Sequence, residues 1–533
     1  MTYLGLLIFS GSKHKGTAVK TARYFFSMLT FFLILSSNAV FAEQRPVFNY
    51  QISIDNPGSH RYHVTLETSG WQTDTLELKL PVWMPGYYQV MDYARSVTDM
   101  TAKTANGQEL KIIGSGKSSW TLTGVKNKRF SLDYNIETYR RFVANSYVDE
   151  EHAYIVPSNT FLYAENNLSS PVTVTFMSAY RDIATGLKKI AEDPITFTAS
   201  DFDILYDCPI LAGNLDSFPS FKVNGIEHRF TAYKPGTFNA KLLMQKLQKA
   251  ITYATTLMGD IPYESYIFIG IGSGRGGIEH LNNTIVSFNG DDLVSEKALN
   301  KTLNFLVHEY FHNYNVKRIR PYELGPFDYG KANRTNQLWI SEGLTVYYEY
   351  LILKRAGLID TGTLFSNLEN DINATENDPG RHFQSLAQAS YYTWEDGPFG
   401  TPEGTEDKSI SYYQKGPVMG LLLDFTIRHA TQNKKSLDDV MRYLYREFYQ
   451  DKQRGFTEAE FQQVCEEIAG QSLRTFFEYI CTTKEPDYAT SLGYAGLQLK
   501  KEKDQNNVHY RIIRMDQPDK LQNEVFNSWI SGL

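Results

Sequence analysis

The stretch Leu306-Val307-His308-Glu309-Tyr310-Phe311-His312 decides how this sequence is interpreted. It is a His-Glu-x-x-His motif among helix-forming residues. Two histidines four residues apart lie on one face of a helix, about one turn from each other, so both imidazoles can bind one metal ion. Glu309 could take a proton from water at the open side of such an ion. The alternative is a pair of ordinary buried histidines on a helix.

A catalytic zinc site needs a third protein ligand, and Glu342 is the best candidate. It lies in the apolar stretch Leu338-Trp339-Ile340-Ser341-Glu342-Gly343-Leu344. A carboxylate in such surroundings costs free energy unless it meets a cation, although a surface glutamate on an amphipathic helix is the alternative. Glu349 lies seven residues further on and is predicted to hydrogen-bond a ligating histidine. The sequence therefore predicts one Zn²⁺ ion held by His308, His312 and Glu342.

Length, composition and charge limit the class of protein. A chain of 533 residues is too long for one hydrophobic core, and its 42% hydrophobic and 21% charged residues are typical of globular domains. The net charge of −7 gives no basic surface for nucleic acid. Three cysteines cannot form a disulfide framework, although Cys465 and Cys481 could pair if neighbouring helices bring them together.

Residues 1–42 are predicted to be a signal peptide. Basic residues precede the apolar run 24–35, and small residues precede a cleavage site after Ala42. The apolar run is too short for a comfortable membrane span. We therefore expect export, cleavage near Ala42 and no stable membrane insertion of the mature chain.

The hydrophobic period changes along the chain. Residues 43–235 alternate apolar and polar side chains and contain frequent turn signals, which predicts an antiparallel β-sandwich. From residue 236 the period is helical, interrupted by two strands on either side of the glycine-rich stretch Gly272–His280. Helices are expected at about 237–258, 299–315, from 338 onward, and at 417–431, 436–450, 457–469 and 472–482, with a loop-rich stretch at 376–410.

Two stretches around the motif helix have more than one interpretation. The glycine-rich stretch leads into a strand, so it is not a phosphate-binding loop, but its glycines would let a backbone approach a ligand. The basic run Lys317-Arg318-Ile319-Arg320 is expected to be a solvated cap on the helix dipole. Binding of a substrate carboxylate is the alternative for this run.

These features together resemble the glycyl aminopeptidase family of bacterial zinc metallopeptidases, in the gluzincin clan and related to the aminopeptidase-N superfamily. The likeness extends over about residues 45–500. It implies an α+β multidomain fold, with an N-terminal β-sandwich at 43–235 and a thermolysin-like catalytic domain of mixed sheet and helical bundle at 236–490. The matching segments are Leu80–Tyr88, His308–Pro321, Gly325–Tyr329, Leu338–Thr345 and Tyr413–Gly416.

The resemblance also implies roles for residues outside the metal ligands. Gly276-Gly277-Ile278-Glu279-His280 resembles the stretch whose glutamate, here Glu279, holds the substrate's α-ammonium in the aminopeptidase superfamily. The alternative is an ordinary hairpin carboxylate. Tyr413 resembles the tyrosine that hydrogen-bonds the developing oxyanion. The adjacent Tyr412 competes for this role, and Tyr163 is another aromatic residue that could line the cleft.

The expected function is a zinc-dependent aminopeptidase with Glu309 as general base, acting on peptides with a free N-terminus. The resemblance implies a preference for small first residues such as Gly or Ala. The predicted signal peptide implies a location in the bacterial periplasm or the medium. A zinc endopeptidase, which would not use Glu279, is one alternative. An exported peptide-binding protein without catalysis is another, although it would have no need of Glu309.

The end of the chain departs from the family pattern. Family members usually continue into a PDZ-like domain of about a hundred residues. Residues 491–533 are too few for such a domain and are expected to form a short β segment. Nothing in the sequence predicts the oligomeric state.

Overall fold

The N-terminal part of the chain is built from strands in the computed structural model, which describes residues 46–180, 182–399, 408–503 and 508–532. The predicted signal peptide lies outside these residues. In chain order the strands are β1 (Val47–Ile54), β2 (Arg61–Ser69), β3 (Thr75–Lys79), β4 (Val97–Thr104), β5 (Lys111–Gly114), β6 (Ser119–Thr123), β7 (Phe130–Glu137), β8 (Tyr147–Val148), β9 (His152–Ile155), β10 (Val172–Ser178), β11 (Asp182–Thr185), β12 (Lys188–Glu192), β13 (Ile195–Ala199) and β14 (Ile210–Gly213).

These strands form three sheets, in the orders β12-β13-β10-β1-β2-β7-β4, β11-β14-β9-β8 and β3-β6-β5. Alternate side chains of β1 and β2, such as Ile52 and Val64, are buried in a shared core, as the period-two pattern requires. The predicted β-rich N-terminal fold is confirmed. One detail differs from the expectation of antiparallel pairing, because β1 and β10 run parallel.

The next part of the chain forms a sheet with both parallel and antiparallel strand pairs. It contains β15 (Leu215–Ser217), β16 (Phe221–Val223), β17 (Ile226–Tyr233), β18 (Ser265–Gly270), β19 (Gly277–Glu279) and β20 (Asn283–Val286), in the order β15-β17-β18-β20-β19 with β16 beside β17. The glycine-rich stretch is therefore not all loop, because its end pairs with β20 as an edge strand. Since β17 pairs with β18, one sheet includes strands from both sides of residue 235. The boundaries 43–235 and 236–490 stay predictions.

Helices make up most of the remaining chain. They are α1 (Phe202–Tyr206), α2 (Ala240–Met258), α3 (Glu296–Phe311), α4 (Leu344–Arg355), α5 (Thr361–Asn377), α6 (Leu386–Tyr391), α7 (Thr393–Asp396), α8 (Tyr412–Ala430), α9 (Leu437–Leu444), α10 (Glu458–Ala469), α11 (Arg474–Cys481), α12 (Tyr488–Gly493) and α13 (Lys520–Ser531). Two π-helical turns, Trp339–Gly343 and Tyr445–Asp451, adjoin α4 and α9. None of the helices among the described residues is long and apolar enough to span a bilayer.

Several helix boundaries differ from the sequence-based expectation. The motif helix α3 begins at Glu296, where the Ser295 side chain accepts a hydrogen bond from the Ala298 amide. Helix α8 begins at Tyr412 instead of 417, because Ser411 caps it and Pro417 lies inside the helix and not at its start. The stretch expected to be loop-rich contains α6 and α7.

The C-terminal segment packs against the helices. It forms a hairpin of β21 (Leu497–Lys503) and β22 (Val508–Arg514), followed by α13, which was not predicted. Trp529 of α13 is fully buried and donates a hydrogen bond to the Tyr347 hydroxyl at 2.8 Å. The Arg355 Nε donates to the Trp529 carbonyl, also at 2.8 Å. The expectation of a short β segment alone is therefore incomplete, and the segment supports α4.

Candidate active site

The predicted metal ligands converge although they come from two separate helical segments. His308 and His312 lie one turn apart at the end of α3, with 3.0 Å between their Nε2 atoms. Glu342 Oε2 lies 3.5 Å from His308 Nε2 and 3.1 Å from His312 Nε2. All three side chains are buried. The structure thus brings the three predicted ligands to one point.

The hydrogen bonds of the two Nδ1 atoms determine which nitrogen of each neutral imidazole carries the proton, and they leave both Nε2 atoms as acceptors facing Glu342. His312 Nδ1 lies 2.6 Å from the Asn315 carbonyl oxygen, which can only accept, so the neutral ring carries its proton on Nδ1. His308 Nδ1 lies 2.9 Å from Glu349 Oε2, which is the hydrogen bond predicted for Glu349. With neutral rings, both Nε2 lone pairs and the Glu342 carboxylate repel one another unless a cation lies between them. Burial by itself would lower the pKa of both histidines, but Glu342 raises it, so in the metal-free protein a proton takes that place.

These separations suit zinc. Three ligands at about 2.0–2.1 Å from a tetrahedral ion lie about 3.3 Å from one another, close to the distances between the Nε2 atoms and Glu342 Oε2. Burial by itself would raise the pKa of Glu342, but His312 and His308 together hold it far below its ordinary value. The donor set is thus an ionised carboxylate with two imidazoles, and the residues present fit a zinc ion.

The position of Glu342 depends on two close contacts of its segment. Glu342 lies in the π-helical turn, a geometry that is frequent at functional sites. A Cβ at Gly343 would come within 2.5 Å of the Gly416 Cα, so the turn and α8 cross at two glycines. The Asn315 side chain donates to the Ile340 carbonyl at 2.8 Å and thereby ties the turn to the end of α3.

Glu309 lies beside the ligands, against the glycine-rich stretch. A Cβ at Gly277 would come within 2.6 Å of Glu309 Oε1, so only glycine leaves room for the carboxylate there. Burial raises the pKa of Glu309 to about 8, although the charges of His308 and His312 act to lower it. A carboxyl group with a pKa near neutrality can both take up and release a proton.

Glu279 lies at the end of the edge strand β19, next to the N-terminal part of the chain. It is buried, and its Oε1 has no hydrogen-bond partner in the protein. A Cβ at Gly86 would come within 2.8 Å of Glu279 Oε2. Gly276 and Gly277, three and two residues before it in the sequence, line the cleft. The structure therefore leaves one oxygen of this carboxylate without a partner close to the metal ligands.

The two adjacent tyrosines are distinguished by their surroundings. The Tyr412 hydroxyl is buried and hydrogen-bonds Thr393 Oγ1 at 3.0 Å. The Tyr413 ring is only partly buried and lies 6.0 Å from the His308 ring, between centroids. Burial raises the pKa of Tyr413 well above its ordinary value, and the nearby Glu342 charge raises it further, so the hydroxyl keeps its proton. Tyr413 is the better placed of the two to donate a hydrogen bond to a ligand.

A cleft of about 1830 Å³ passes over this centre. His308, Glu309 and both tyrosines line it together with residues of α5. Tyr163, by contrast, lies in the N-terminal core, where its ring packs against the rings of Tyr206 and Tyr329. It is not a cleft residue.

A buried charge cluster behind Glu279 was missed in the sequence. Asp207, after α1, lies with its Oδ1 2.8 Å from Lys317 Nζ and 3.1 Å from His280 Nδ1, and its Oδ2 accepts from the Leu281 amide at 2.6 Å. Lys317 is buried, so the expectation of a solvated cap is wrong for it. No local pattern links Asp207 to residues 73 and 110 positions away.

The remaining residues of the basic run and the cysteines also differ from the expected alternatives. Arg318 is buried and donates to the carbonyls of Asn313 and Pro262, so it is neither a solvated cap nor a ligand for a substrate carboxylate. Cys208, Cys465 and Cys481 are all free thiols. The optional pairing of Cys465 with Cys481 is therefore absent.

Comparison with models of protein families identifies the family of this chain. The model of the peptidase M61 N-terminal domain matches residues 49–214, and that of the M61 glycyl aminopeptidase matches residues 301–419. The chain belongs to the M61 glycyl aminopeptidase family. The M61 match includes His308, Glu309, His312, Glu342 and Tyr413, whereas Glu279 lies between the two matched ranges.

Solved structures show the same fold in related peptidases. An aminopeptidase N family protein from Idiomarina loihiensis has a TM-score of 0.81 at 25% identity, over 86% of this chain and 81% of its own. An M1 zinc metallopeptidase from Deinococcus radiodurans has a TM-score of 0.50 at 13% identity, and the match covers 83% of this chain and 96% of that one. Native leukotriene A4 hydrolase from Saccharomyces cerevisiae has a TM-score of 0.50 at 14% identity, and the match covers 85% of this chain and 70% of that one. No curated protein matches the chain. The M61 chain thus has a metallopeptidase fold.

Proposed function

We propose that this M61 protein is a zinc aminopeptidase that releases the first residue of peptides. The observation that carries the proposal is the buried carboxylate of Glu279, whose Oε1 lacks a partner beside a His-His-Glu ligand set and Glu309. A free α-ammonium group would satisfy that oxygen and balance its charge. An internal peptide bond offers no such cation, which favours N-termini over the middle of a chain.

The residues around the ligands supply the other parts of hydrolysis. Zinc held by His308, His312 and Glu342 would polarise the scissile carbonyl and lower the pKa of water. Glu309 would take a proton from that water and pass it to the leaving amine. The protonated Tyr413 hydroxyl donates a hydrogen bond to the carbonyl oxygen as negative charge develops there.

The edge strand β19 supports substrate orientation. One side of β19 pairs with β20. Gly277, the first residue of β19, and the preceding Gly276 line the cleft. Without side chains, these residues let an extended peptide approach the strand and pair with its backbone. Such pairing would hold the first residues of the substrate between Glu279 and the zinc ligands.

The experiment that tests the proposal compares free and blocked substrates. Alanine arylamide and tetraalanine should be hydrolysed, and their N-acetylated forms should not. Undiminished cleavage of the acetylated peptide would support the endopeptidase alternative instead. Binding of the peptides without any hydrolysis would support the non-catalytic alternative. The Glu279→Gln variant should raise KM for the free substrates while its zinc content stays that of the wild type.

A preference for small first residues is part of the proposal. Its support is the family to which the chain belongs, the M61 glycyl aminopeptidases. We expect kcat/KM for glycine and alanine arylamides to exceed that for leucine and phenylalanine arylamides. An equal or reversed order would remove this part of the proposal and leave the zinc chemistry unaffected.

Export of the protein is a separate proposal that rests on the sequence of residues 1–42. The mature protein should begin at Glu43 and be recovered from the periplasm or the medium. Mass spectrometry of the purified protein from fractionated bacterial cells measures both. A full-length chain in the cytoplasm would contradict the proposal.

A further inference from the structure

Amide side chains of α3 and α5 line the same cleft as His308. Asn304 and Asn300 lie one and two turns before His308 on α3, so the three residues share a face of that helix. Helix α5 contributes Asn367 and Asp371 to the lining of the same cleft. We name the part of the cleft lined by Asn300, Asn304, Asn367 and Asp371 the asparagine arm.

Every residue of the asparagine arm has a polar atom without a partner in the protein. These atoms are Asn300 Oδ1, Asn304 Oδ1, Asn367 Nδ2 and Asp371 Oδ2, all shielded from solvent. Buried polar groups in folded proteins are nearly always hydrogen-bonded, because a group that loses its hydrogen bonds to water and gains no partner costs free energy. Four such atoms along one cleft indicate a ligand that supplies the missing donors and acceptors.

The chemistry of the arm matches a peptide main chain. An asparagine side chain offers two N–H donors and a carbonyl acceptor without charge, and a peptide group offers the same kinds of atoms. Charged residues that line the cleft near the arm are exposed and of both signs: Glu296, Lys297, Lys301 and Asp360. The one carboxyl group of the arm is that of Asp371, which hydrogen-bonds Tyr350 and whose pKa is raised well above its ordinary value by burial. The arm therefore favours neutral hydrogen-bonding groups over a ligand of either charge.

The position of the arm indicates which part of the substrate it meets. Glu279, the proposed amine ligand, belongs to β19 and leaves no room for a side chain at Gly86, whereas the arm is formed by α3 and α5. The part of a peptide that follows the scissile bond leads away from the held amine. We propose that the asparagine arm binds the main chain of the residues that follow the scissile bond, so that the substrates are oligopeptides and not dipeptides. This inference rests on the proposed aminopeptidase function.

The dimensions of the arm set the expected length. Asn304 and Asn300 lie about 6 and 12 Å along the helix from His308, at about 1.5 Å per residue. An extended peptide advances about 3.3 Å per residue, so the arm spans about three or four residues after the scissile bond. The rate gain should therefore end at peptides of about four or five residues.

Hydrolysis of an alanine series tests the inference. For wild-type enzyme, kcat/KM should rise about tenfold from dialanine to tetraalanine, the gain expected from one or two net hydrogen bonds. Asn304→Ala and Asn367→Ala should each remove most of that gain and leave hydrolysis of alanine arylamide unchanged. Asn377→Ala is the matched control, because Asn377 is on α5 but its side chain donates to the Val508 carbonyl outside the cleft.

Binding without turnover gives an independent measurement. In the Glu309→Gln protein, calorimetry should show tetraalanine bound about tenfold more tightly than alanine amide. The double variants Glu309→Gln/Asn304→Ala and Glu309→Gln/Asn367→Ala should lose this difference. The second variant keeps the test valid if the first fails to fold.

The outcomes separate this inference from the proposed function. Equal kcat/KM for dialanine and tetraalanine, or equal losses on arylamide and tetraalanine in both asparagine variants, would overturn the inference while aminopeptidase activity stands. No hydrolysis of any free substrate would overturn the proposed function. In that case the calorimetric difference still decides whether the arm binds a peptide.

Discussion

The metal end of the site and its proposed amine end are built in different ways. The metal end, His308, His312 and Glu342, comes from one stretch of 35 residues, and each histidine has a partner on its second nitrogen. At the amine end, Gly86 lies against the Glu279 carboxylate, and Asp207 holds the next two residues, His280 and Leu281. The Glu279 Oε1 atom has no hydrogen-bond partner in the protein. The metal end thus lacks only a cation, and the proposed amine end leaves one carboxylate oxygen for a ligand.

This difference predicts separable effects of substitution. Changes at the metal end should alter kcat or metal affinity, because they act on groups that touch the reacting atoms or their ligands. Changes at the amine end should alter KM with the metal retained. The predictions below follow this division from the largest expected effect to the smallest.

Replacing Tyr413 tests the proposed oxyanion contact next to the metal ligands. Tyr413→Phe should lower kcat by about a hundredfold, the usual cost of removing one donor to a developing oxyanion, with zinc content unchanged. Tyr412→Phe is the matched control, because the Tyr412 hydroxyl is engaged with Thr393. Steady-state kinetics on alanine arylamide measure both. A larger loss in Tyr412→Phe than in Tyr413→Phe would reverse the assignment.

The Glu349 carboxylate should affect metal affinity. Glu349→Gln removes the negative charge next to His308 Nδ1 and should weaken zinc binding by about tenfold. Competition with a chelator of known affinity measures the change. KM of the zinc-saturated variant should stay that of the wild type. Unchanged zinc affinity would show that the hydrogen bond between Glu349 and His308 only orients the ring.

The smallest catalytic effect is expected at Asp207, behind the amine end. Asp207→Asn leaves the buried Lys317 ammonium without its counterion and should lower the free energy of unfolding by about 3 kcal/mol. Because Asp207 also holds His280 and Leu281, KM for alanine arylamide should rise severalfold at constant zinc content. Asp203→Asn is the control, since Asp203 lies on α1 but accepts its hydrogen bond from Tyr329. Equal KM in Asp207→Asn and the wild type would separate Asp207 from the amine end.

The same residue gives a pH dependence of stability. Burial by itself would raise the pKa of Asp207, but Lys317 and His280 hold it at about 2. Because this lies below the ordinary value of about 4, the contribution of Asp207 is complete above about pH 4 and is lost as the pH falls through 2. Denaturation between pH 4 and 2 should therefore show a smaller loss of stability in Asp207→Asn than in the wild type. Identical slopes would contradict the charge pairing.

Local patterns predicted the metal end well, for a physical reason. The four-residue spacing of His308 and His312 fixes both rings on one helix face, and an acid in an apolar helix requires a cation. The π-helical turn at Glu342 and the contact between Gly343 and Gly416 could not be predicted, because they depend on how α8 crosses the turn. The surroundings of the amine end depend on contacts such as that between His280 and Asp207, which are more than 70 residues apart in the sequence. A local hydrophobic period cannot predict contacts of this kind.

The C-terminal helix α13 is a different case, because a signal for it was present. Asp519 and Gln522 form a capping box, and Leu521, Val525 and Trp529 are spaced by four residues. This is the pattern of an amphipathic helix with one buried face. Its packing partner, Tyr347 on α4, could not be deduced from the pattern alone.

The central claim is that Glu309 acts as the base at a zinc site, and one measurement tests it most directly. Zinc content and hydrolysis of glycine and alanine arylamides are compared between the wild type and Glu309→Gln. We predict one zinc ion in both proteins and a loss of kcat by about a hundredfold to ten-thousandfold in the variant, the range for a missing general base. Equal activity of the two zinc-loaded proteins would contradict the account.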